Sequence, residues 1–184
     1  MATENKAVIT LFGATGDLAK RKLYTALFKL YQKGYLADHF ALLGTSRHEM
    51  SDEEFQKLVQ DSIKDIEETR NGEAADFSKH FFYKAHDVTK PEHYTILKDR
   101  IAELDKQFGT DGNRLFYMSM APQFFGTIAL NLKKQGLLSD DGFNRLVLAA
   151  ALHWRQVAVL RGYCKYLLQT GVPFGDVGMV RDWL

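Results

Sequence analysis

Three small residues, Gly13, Gly16 and Ala19, stand at GxxGxxA spacing directly after the apolar run AVITLF (7–12). In that arrangement the first glycine permits a tight turn, the second lets a phosphate approach backbone amides, and the third small residue lets the next helix lie close to the strand. The helix N-terminus adds unpaired N–H groups and partial positive charge, so the chemistry on offer is binding of a pyrophosphate. A glycine-rich turn alone could be a plain strand-to-helix connection. Here a strand pattern precedes it and an amphipathic pattern follows it, and that context favours a dinucleotide.

A second group, GTSRH (44–48), closes the next apolar run and has no acid until Glu49. An NAD site places Asp or Glu near this point to hold the ribose 2′-hydroxyl, whereas an NADP site needs a cation for the 2′-phosphate. Arg47 offers a planar, bidentate fork suited to phosphate. Thr45, Ser46 and His48 can add hydrogen bonds. A solvated loop arginine is the alternative, but the position at the second strand's end predicts NADP over NAD.

Other polar groups promise less. His86 and Asp87 are adjacent, and Glu92, His93 and Tyr94 superficially echo a catalytic dyad. Neighbouring residues in a strand or helix point in different directions, so surface solvation or capping is expected and no catalytic residue is assigned. His39, His48, His80, His86, His93 and His153 lack the paired ligand spacing of a zinc site, and no metal is expected. With 24 basic and 23 acidic side chains the net charge is +1, which gives no global attraction to nucleic acid. The single cysteine, Cys164, fits a reducing compartment. The N-terminus MATENKAVITLF reads as neither a secretory signal nor a membrane span, so a cytoplasmic protein off the membrane is expected, its oligomeric state open.

The elements that must position these groups follow from periodicity. AVITLF (7–12), FALLGT (40–45), FFYKAH (81–86), RLFYMSM (114–120) and RLVL (145–148) read as five strands. Leu23, Leu27, Leu30 and Tyr31 recur at helical spacing before Gly34, a C-terminal cap. Ser51 and Glu54 form a capping box, followed by an apolar stripe of Phe55, Leu58, Val59, Ile63 and Ile66. Further helices fit roughly 91–107 and 122–136. Strand and helix in alternation predict an α/β fold, a Rossmann-like, doubly wound and mostly parallel sheet, with ligands at the carboxyl ends of its strands.

GATGDLAKRKLY, KGYL, HFALLGTSR, DSIKD, HDVT, DGNRLFYMSMAPQFFGTIA and GFNRLV together resemble the coenzyme domain of glucose-6-phosphate dehydrogenases, particularly the bacterial form. The resemblance runs from about residue 7 to 147, and GDLAKRK is specific to that family. It implies hydride transfer from C1 of glucose 6-phosphate to NADP, the oxidative step of the pentose phosphate pathway. Under it, Gly13, Thr15, Gly16, Asp17 and Leu18 match the phosphate-binding turn and Arg47 the 2′-phosphate arginine. Lys22 matches a lysine directed at the sugar phosphate, and Met120, Ala121 and Pro122 match the segment bordering the nicotinamide.

Two departures from the family qualify this. Thr25 replaces a usual proline, which predicts a straighter helix. After GFNRLV the family continues into an EKPFG segment whose lysine contacts substrate, whereas this sequence reads LAAALHWRQ, with Ala149, Ala150 and Ala151. The family's later histidine and aspartate pair, which removes the hydroxyl proton, is likewise not found. The expectation is a coenzyme domain over 1–147 and a divergent tail over 148–184. The tail's apolar arc, including Leu152, Val159, Tyr163 and Leu167, predicts a helix covering one face of the sheet, the alternative being a basic amphipathic helix that lies on a membrane surface or a partner. A shifted reading frame, a splice variant and an artificial junction would each explain the change. The chain is expected to bind NADP, and glucose 6-phosphate weakly, without turnover on its own; the alternative is a non-catalytic dinucleotide-binding or interaction module.

Overall fold

A computed structural model of the chain describes residues 6–36, 40–66 and 72–138, together with the backbone of 146 and 147. Five strands, β1 (Ala7–Phe12), β2 (Phe40–Ser46), β3 (Phe81–Ala85), β4 (Arg114–Met118) and β5 (Leu146–Val147), form one sheet in the order β3-β2-β1-β4-β5. Every neighbouring pair is parallel. The predicted α/β sheet is therefore present, with β4 ending two residues earlier than its apolar run. Parallel strands require crossover connections, and the intervening helices supply them.

The strands are apolar almost throughout because helices cover both faces. Along β1, Val8 and Phe12 join a core with Leu43, Phe116, Tyr94, Leu97, Ile101 and Ile128. Ile9 and Leu11 join the opposite core with Leu42, Phe81, Tyr24, Phe28, Phe55 and Phe77. The first core is closed by α4 (His93–Phe108) and α5 (Phe125–Lys134), the second by α1 (Tyr24–Gln32), α2 (Asp52–Ile63) and α3 (Glu73–Ser78).

Helix α1 corrects its predicted stripe. Tyr24 and Phe28 are fully buried, whereas Leu30 is 41% exposed. The cause is the preceding segment Ala19–Leu23, which is π-helical, with the Tyr24 N–H donating to the Ala19 carbonyl. The wider π turn holds an extra residue and shifts the inward face by one position. Thr25 thus follows an irregular entry rather than an uninterrupted helix. Gly34 takes the expected left-handed conformation after α1, with φ of +72°.

Helix α2 begins as predicted: the Ser51 side chain accepts from the Glu54 N–H at 3.1 Å, and the Glu54 carboxylate accepts from the Ser51 N–H at 2.8 Å. Phe55, Val59 and Ile63 are its buried residues, while Leu58 and Ile66 pack at the margin. Phe55 lies so close to β2 that a Cβ on Gly44 would overlap its ring. Helix α3 was not foreseen, since EAADFS is too short to show a period. The predicted cover helix of the tail lies outside the described residues.

Candidate functional site

The chain runs outward from β1 through β2 to β3 and then returns to β4 on the other side of β1. This reversal makes the carboxyl ends of β1 and β4 the switch point, the place where doubly wound sheets bind ligands in a crevice. The glycine turn occupies that place. Gly13 has φ of +83°, and a Cβ there would overlap the Ser119 carbonyl at the end of β4. The N–H groups of Gly13 and Ala14 both donate to the Thr45 carbonyl at 3.0 Å, and the Gly16 N–H donates to the Gly13 carbonyl at 3.0 Å. The Tyr24 hydroxyl donates back to the Ala14 carbonyl at 2.5 Å, which anchors the helix to its own turn.

Helical backbone begins at Asp17, so the first helical amides follow immediately on Gly16. Gly16 needs no left-handed φ; a Cβ there would make a tight 3.1 Å contact with the Gly13 carbonyl and cover the start of the helix. Ala19 is fully buried, as close packing of helix on strand demands. Thr15 and Leu18 are half-buried on the turn, while Asp17 is exposed and pairs with Arg21 at 2.7 Å. Lys22 is exposed on the π-helical segment, in a run with Lys20 and Arg21. The residues fit a bound diphosphate in one specific respect: a turn without side-chain bulk leads straight into a helix N-terminus at the switch in strand order.

The Arg47 loop leaves the neighbouring strand. Thr45 is buried, and its hydroxyl donates to the Leu11 carbonyl at 3.4 Å, so it braces β2 rather than facing outward. Ser46 lies 2.6 Å from the Tyr83 hydroxyl, and Tyr83 donates to the His48 carbonyl at 2.7 Å. A phenol has one proton, so Ser46 must be the donor to Tyr83 and keeps only acceptor capacity for anything else. Arg47, between them, is exposed. Its charge is felt by Asp87, whose carboxyl is held below the usual range mainly by the Thr89 hydroxyl and amide, with Lys90 and Arg47 contributing.

On the other flank, Met120 packs at the margin of the core, and Ala121 and Pro122 are exposed at the start of a short 3₁₀ turn, Pro122–Phe124. A Cβ on Gly13 would lie 3.5 Å from that of Met120, so turn and segment meet at the crevice. The structure thus brings together Gly13, Gly16, Met120 and, through Thr45, the base of the Arg47 loop.

His86 departs from expectation. It is 2% exposed rather than solvated, its ring edge-on to Tyr94 at 4.5 Å and 5.7 Å from Phe12. Neither ring nitrogen has a hydrogen-bond partner. Burial, with His93 adding to it and Asp87 opposing, pushes its pKa down to about 4. It is a neutral packing group, with no exposed base to offer. Asp87 and His93 hold the loop before α4 rather than capping the helix: the Asp87 N–H donates to His93 Nδ1 at 3.1 Å, and Asp87 accepts from the Thr89 N–H and hydroxyl.

A cleft of about 420 Å³ lined by Met50, Asp52, Tyr83, Lys84, Arg100 and Glu103, among others, lies alongside β3. Neither Gly13, Arg47 nor Met120 lines it, so it is separate from the crevice at the switch point. Among the described residues no group of three or more His, Cys, Asp or Glu side chains could hold a metal ion. No helix among them is long and apolar enough to cross a membrane. Sequence reasoning missed Tyr83, Asp52 and Gly44; only the strand alternation of FFYKAH hinted that Tyr83 turns to the α2 side.

Comparison with known proteins adds family evidence. The family model described as glucose-6-phosphate dehydrogenase, NAD binding domain, matches residues 10–150. A second model, glutamate dehydrogenase, helical motif 3, matches residues 138–181, which lie almost wholly outside the described residues. The chain is 55% identical over 148 residues to glucose-6-phosphate 1-dehydrogenase of Leuconostoc mesenteroides, a match covering 80% of this chain and 30% of that protein. It is 48% identical to the Streptococcus pneumoniae enzyme, covering 78% of this chain and 29% of the relative. A solved glucose-6-phosphate dehydrogenase in complex with its substrate glucose-6-phosphate superposes with a TM-score of 0.65 at 33% identity, over 73% of this chain and 28% of that one. The chain therefore spans about 30% of the length of the curated relatives it matches.

Proposed function

Because the chain belongs to the glucose-6-phosphate dehydrogenase family through its coenzyme-binding domain, we propose that it binds NADP in the crevice between the glycine turn and the Arg47 loop. One observation carries this: a bare turn and helix N-terminus at the switch point, with an exposed arginine at the end of the next strand. The Gly13, Ala14 and Gly16 amides are engaged within the turn, so the amides of Thr15, Asp17 and Leu18 receive the diphosphate over the bare surface that Gly13 and Gly16 leave, with the Thr15 side chain at the turn's rim. Arg47 holds the 2′-phosphate, aided by Ser46 as an acceptor toward protonated oxygens or water. Met120, Ala121 and Pro122 border the nicotinamide, and Lys22 draws in the phosphate of glucose 6-phosphate. When bound, NADP supplies the hydride acceptor for oxidation of the sugar at C1. The domain extends to residue 147, and 148–184 is a tail of different character. The parent activity is cytoplasmic.

The chain alone binds NADP but does not oxidise glucose 6-phosphate. Ala149, Ala150 and Ala151 stand where the family's substrate-holding segment is expected, and His86, neutral and buried, offers no base. Loss of a general base costs about 10²- to 10⁴-fold, and poor orientation multiplies that loss.

Titration of the unaltered chain and of Arg47→Ala with NADP and NAD tests the binding assignment. Truncation should weaken NADP by roughly tenfold to a hundredfold, as expected for a charge-assisted phosphate contact, and leave NAD within about twofold. Equal losses for both would remove the 2′-phosphate assignment. NADPH formed by protein free of full-length enzyme, and abolished by Lys22→Ala, would overturn the proposed inactivity.

A further inference from the structure

Arg47 can select a 2′-phosphate only if the exposed loop that carries it is held in place, and its own side chain does not do this. The residues on either side of it, Ser46 and His48, converge on a single oxygen: the Tyr83 hydroxyl receives the Ser46 proton at 2.6 Å and donates its own to the His48 carbonyl at 2.7 Å. Tyr83 is 4% exposed and its ring packs against Phe55 at 5.3 Å, so that oxygen is a fixed point.

The fixed point is braced from behind. The Tyr83 N–H donates to Asp52 Oδ1 at 2.6 Å, and Asp52 Oδ2 accepts from Arg100 at 2.8 Å. Arg100 is itself held by Glu103 at 2.9 Å and lies 5.5 Å from the centre of the Phe82 ring. β3 is an edge strand of the described sheet, so the Tyr83 amide has no strand beyond it to pair with. The side chain of α2 takes that role, and the Gln56 amide does the same for the Phe81 carbonyl at 3.1 Å. Edge strand, α2 and α4 are thereby locked together directly beneath the loop.

We propose that Tyr83 is the positioning residue for coenzyme selection: its hydroxyl pins both shoulders of the Arg47 loop, so that the guanidinium is presented to the 2′-phosphate in one orientation. This rests on Arg47 being the 2′-phosphate ligand. Pre-ordering the loop lowers the conformational cost of binding NADP and does nothing for NAD, which has no group there.

Tyr83→Phe removes the oxygen and keeps the ring. In the 184-residue chain, titrated by calorimetry, it should weaken NADP roughly three- to tenfold, the scale of one or two neutral hydrogen bonds, with NAD changed less than about twofold. In an Arg47→Ala background the same substitution should cause no further loss, because it acts through Arg47. Ser46→Ala, which removes one of the two struts, should give an NADP-only loss, and less than its full loss on top of Tyr83→Phe, because the strut is then already gone. This second variant keeps the test open should Tyr83→Phe fold poorly by circular dichroism.

Equal weakening of NADP and NAD, or losses that simply add in the double variant with Arg47→Ala, would overturn the proposal and make Tyr83 a structural residue only. If Arg47→Ala weakens NADP but neither Tyr83→Phe nor Ser46→Ala does, the positioning role fails and the 2′-phosphate assignment stands. If Arg47→Ala leaves NADP binding unchanged, that assignment fails and the positioning role falls with it.

Discussion

The glycine turn and the Arg47 loop lie side by side at the ends of β1 and β2, yet they are held by different means. The turn is shaped mainly by backbone: a left-handed Gly13, amides on the Thr45 carbonyl, and a bare surface against Ser119, with the nearby Tyr24 hydroxyl on the Ala14 carbonyl as its side-chain anchor. The loop is shaped by one side chain, Tyr83, whose hydroxyl reaches it from 35 to 37 residues along the chain. The turn therefore tolerates almost no added atom. The loop tolerates atoms but depends on distant partners keeping their places.

The sharpest way to break this contrast is Gly13→Val. A β-branched residue in the left-handed region costs about 1–3 kcal/mol, and overlap with the Ser119 carbonyl adds a comparable amount. Stability to urea should fall by roughly 4 kcal/mol, with coenzyme binding lost. A variant folded as firmly as the unaltered chain would show that the turn is not constrained by its backbone. Gly16→Val should separate fold from ligand: no left-handed φ is required there, and the one tight contact, 3.1 Å to the Gly13 carbonyl, is relieved by a shift of a few tenths of an ångström. The far-ultraviolet circular dichroism should persist while NADP and NAD affinity both fall roughly a hundredfold or more, about 3 kcal/mol. Retained affinity would leave the turn a purely structural connection.

The loop's dependence on distant groups appears next, through pH. The backbone N–H of His86 donates to the Ser46 carbonyl at 2.7 Å, so the residue that carries the buried imidazole adjoins the start of the loop. Its pKa is about 4, against an ordinary 6.5. Between those values the unfolded chain binds more protons than the folded one, so this contribution is fully present above pH 6.5 and is lost as pH falls toward 4. The loss is roughly 2 kcal/mol by pH 5 and about 3 kcal/mol in full. His86→Phe should flatten that part of the stability profile, while an unchanged slope would mean that the ring is solvated in solution.

The smallest effect is expected for Ser51→Ala. It removes the cap from the first turn of α2, which carries Asp52 and so the brace behind Tyr83. A loss of about 1 kcal/mol is expected. NADP affinity should fall slightly and NAD affinity should not; an equal fall in both would disconnect the cap from the loop.

Much of this molecule was legible in its sequence because the causes are local. Buried parallel strands must be apolar runs, so β1 to β5 could be read from AVITLF to RLVL. The Ser51–Glu54 box and the left-handed Gly34 act within a few residues of themselves, and both stand as read. Gly13, Gly16, Ala19 and the end position of Arg47 follow from a turn whose geometry is set by backbone sterics. The alternation of elements sufficed for the doubly wound sheet.

What only the tertiary structure decided involves pairs far apart in the chain. The π turn at Ala19–Leu23 rotates α1 so that Tyr24 rather than Leu30 meets the core, a choice made by what α1 packs against. Gly44 is small because Phe55 of α2 docks on it, and His86 is buried because α4 lays Tyr94 over it. The hydroxyl of Tyr83 finds Ser46 and His48 only once β3 has paired with β2. Sequence spacing fixes directions within one element. Which polar atoms meet across elements depends on docking, where sub-ångström placement separates a hydrogen bond from an orphaned group.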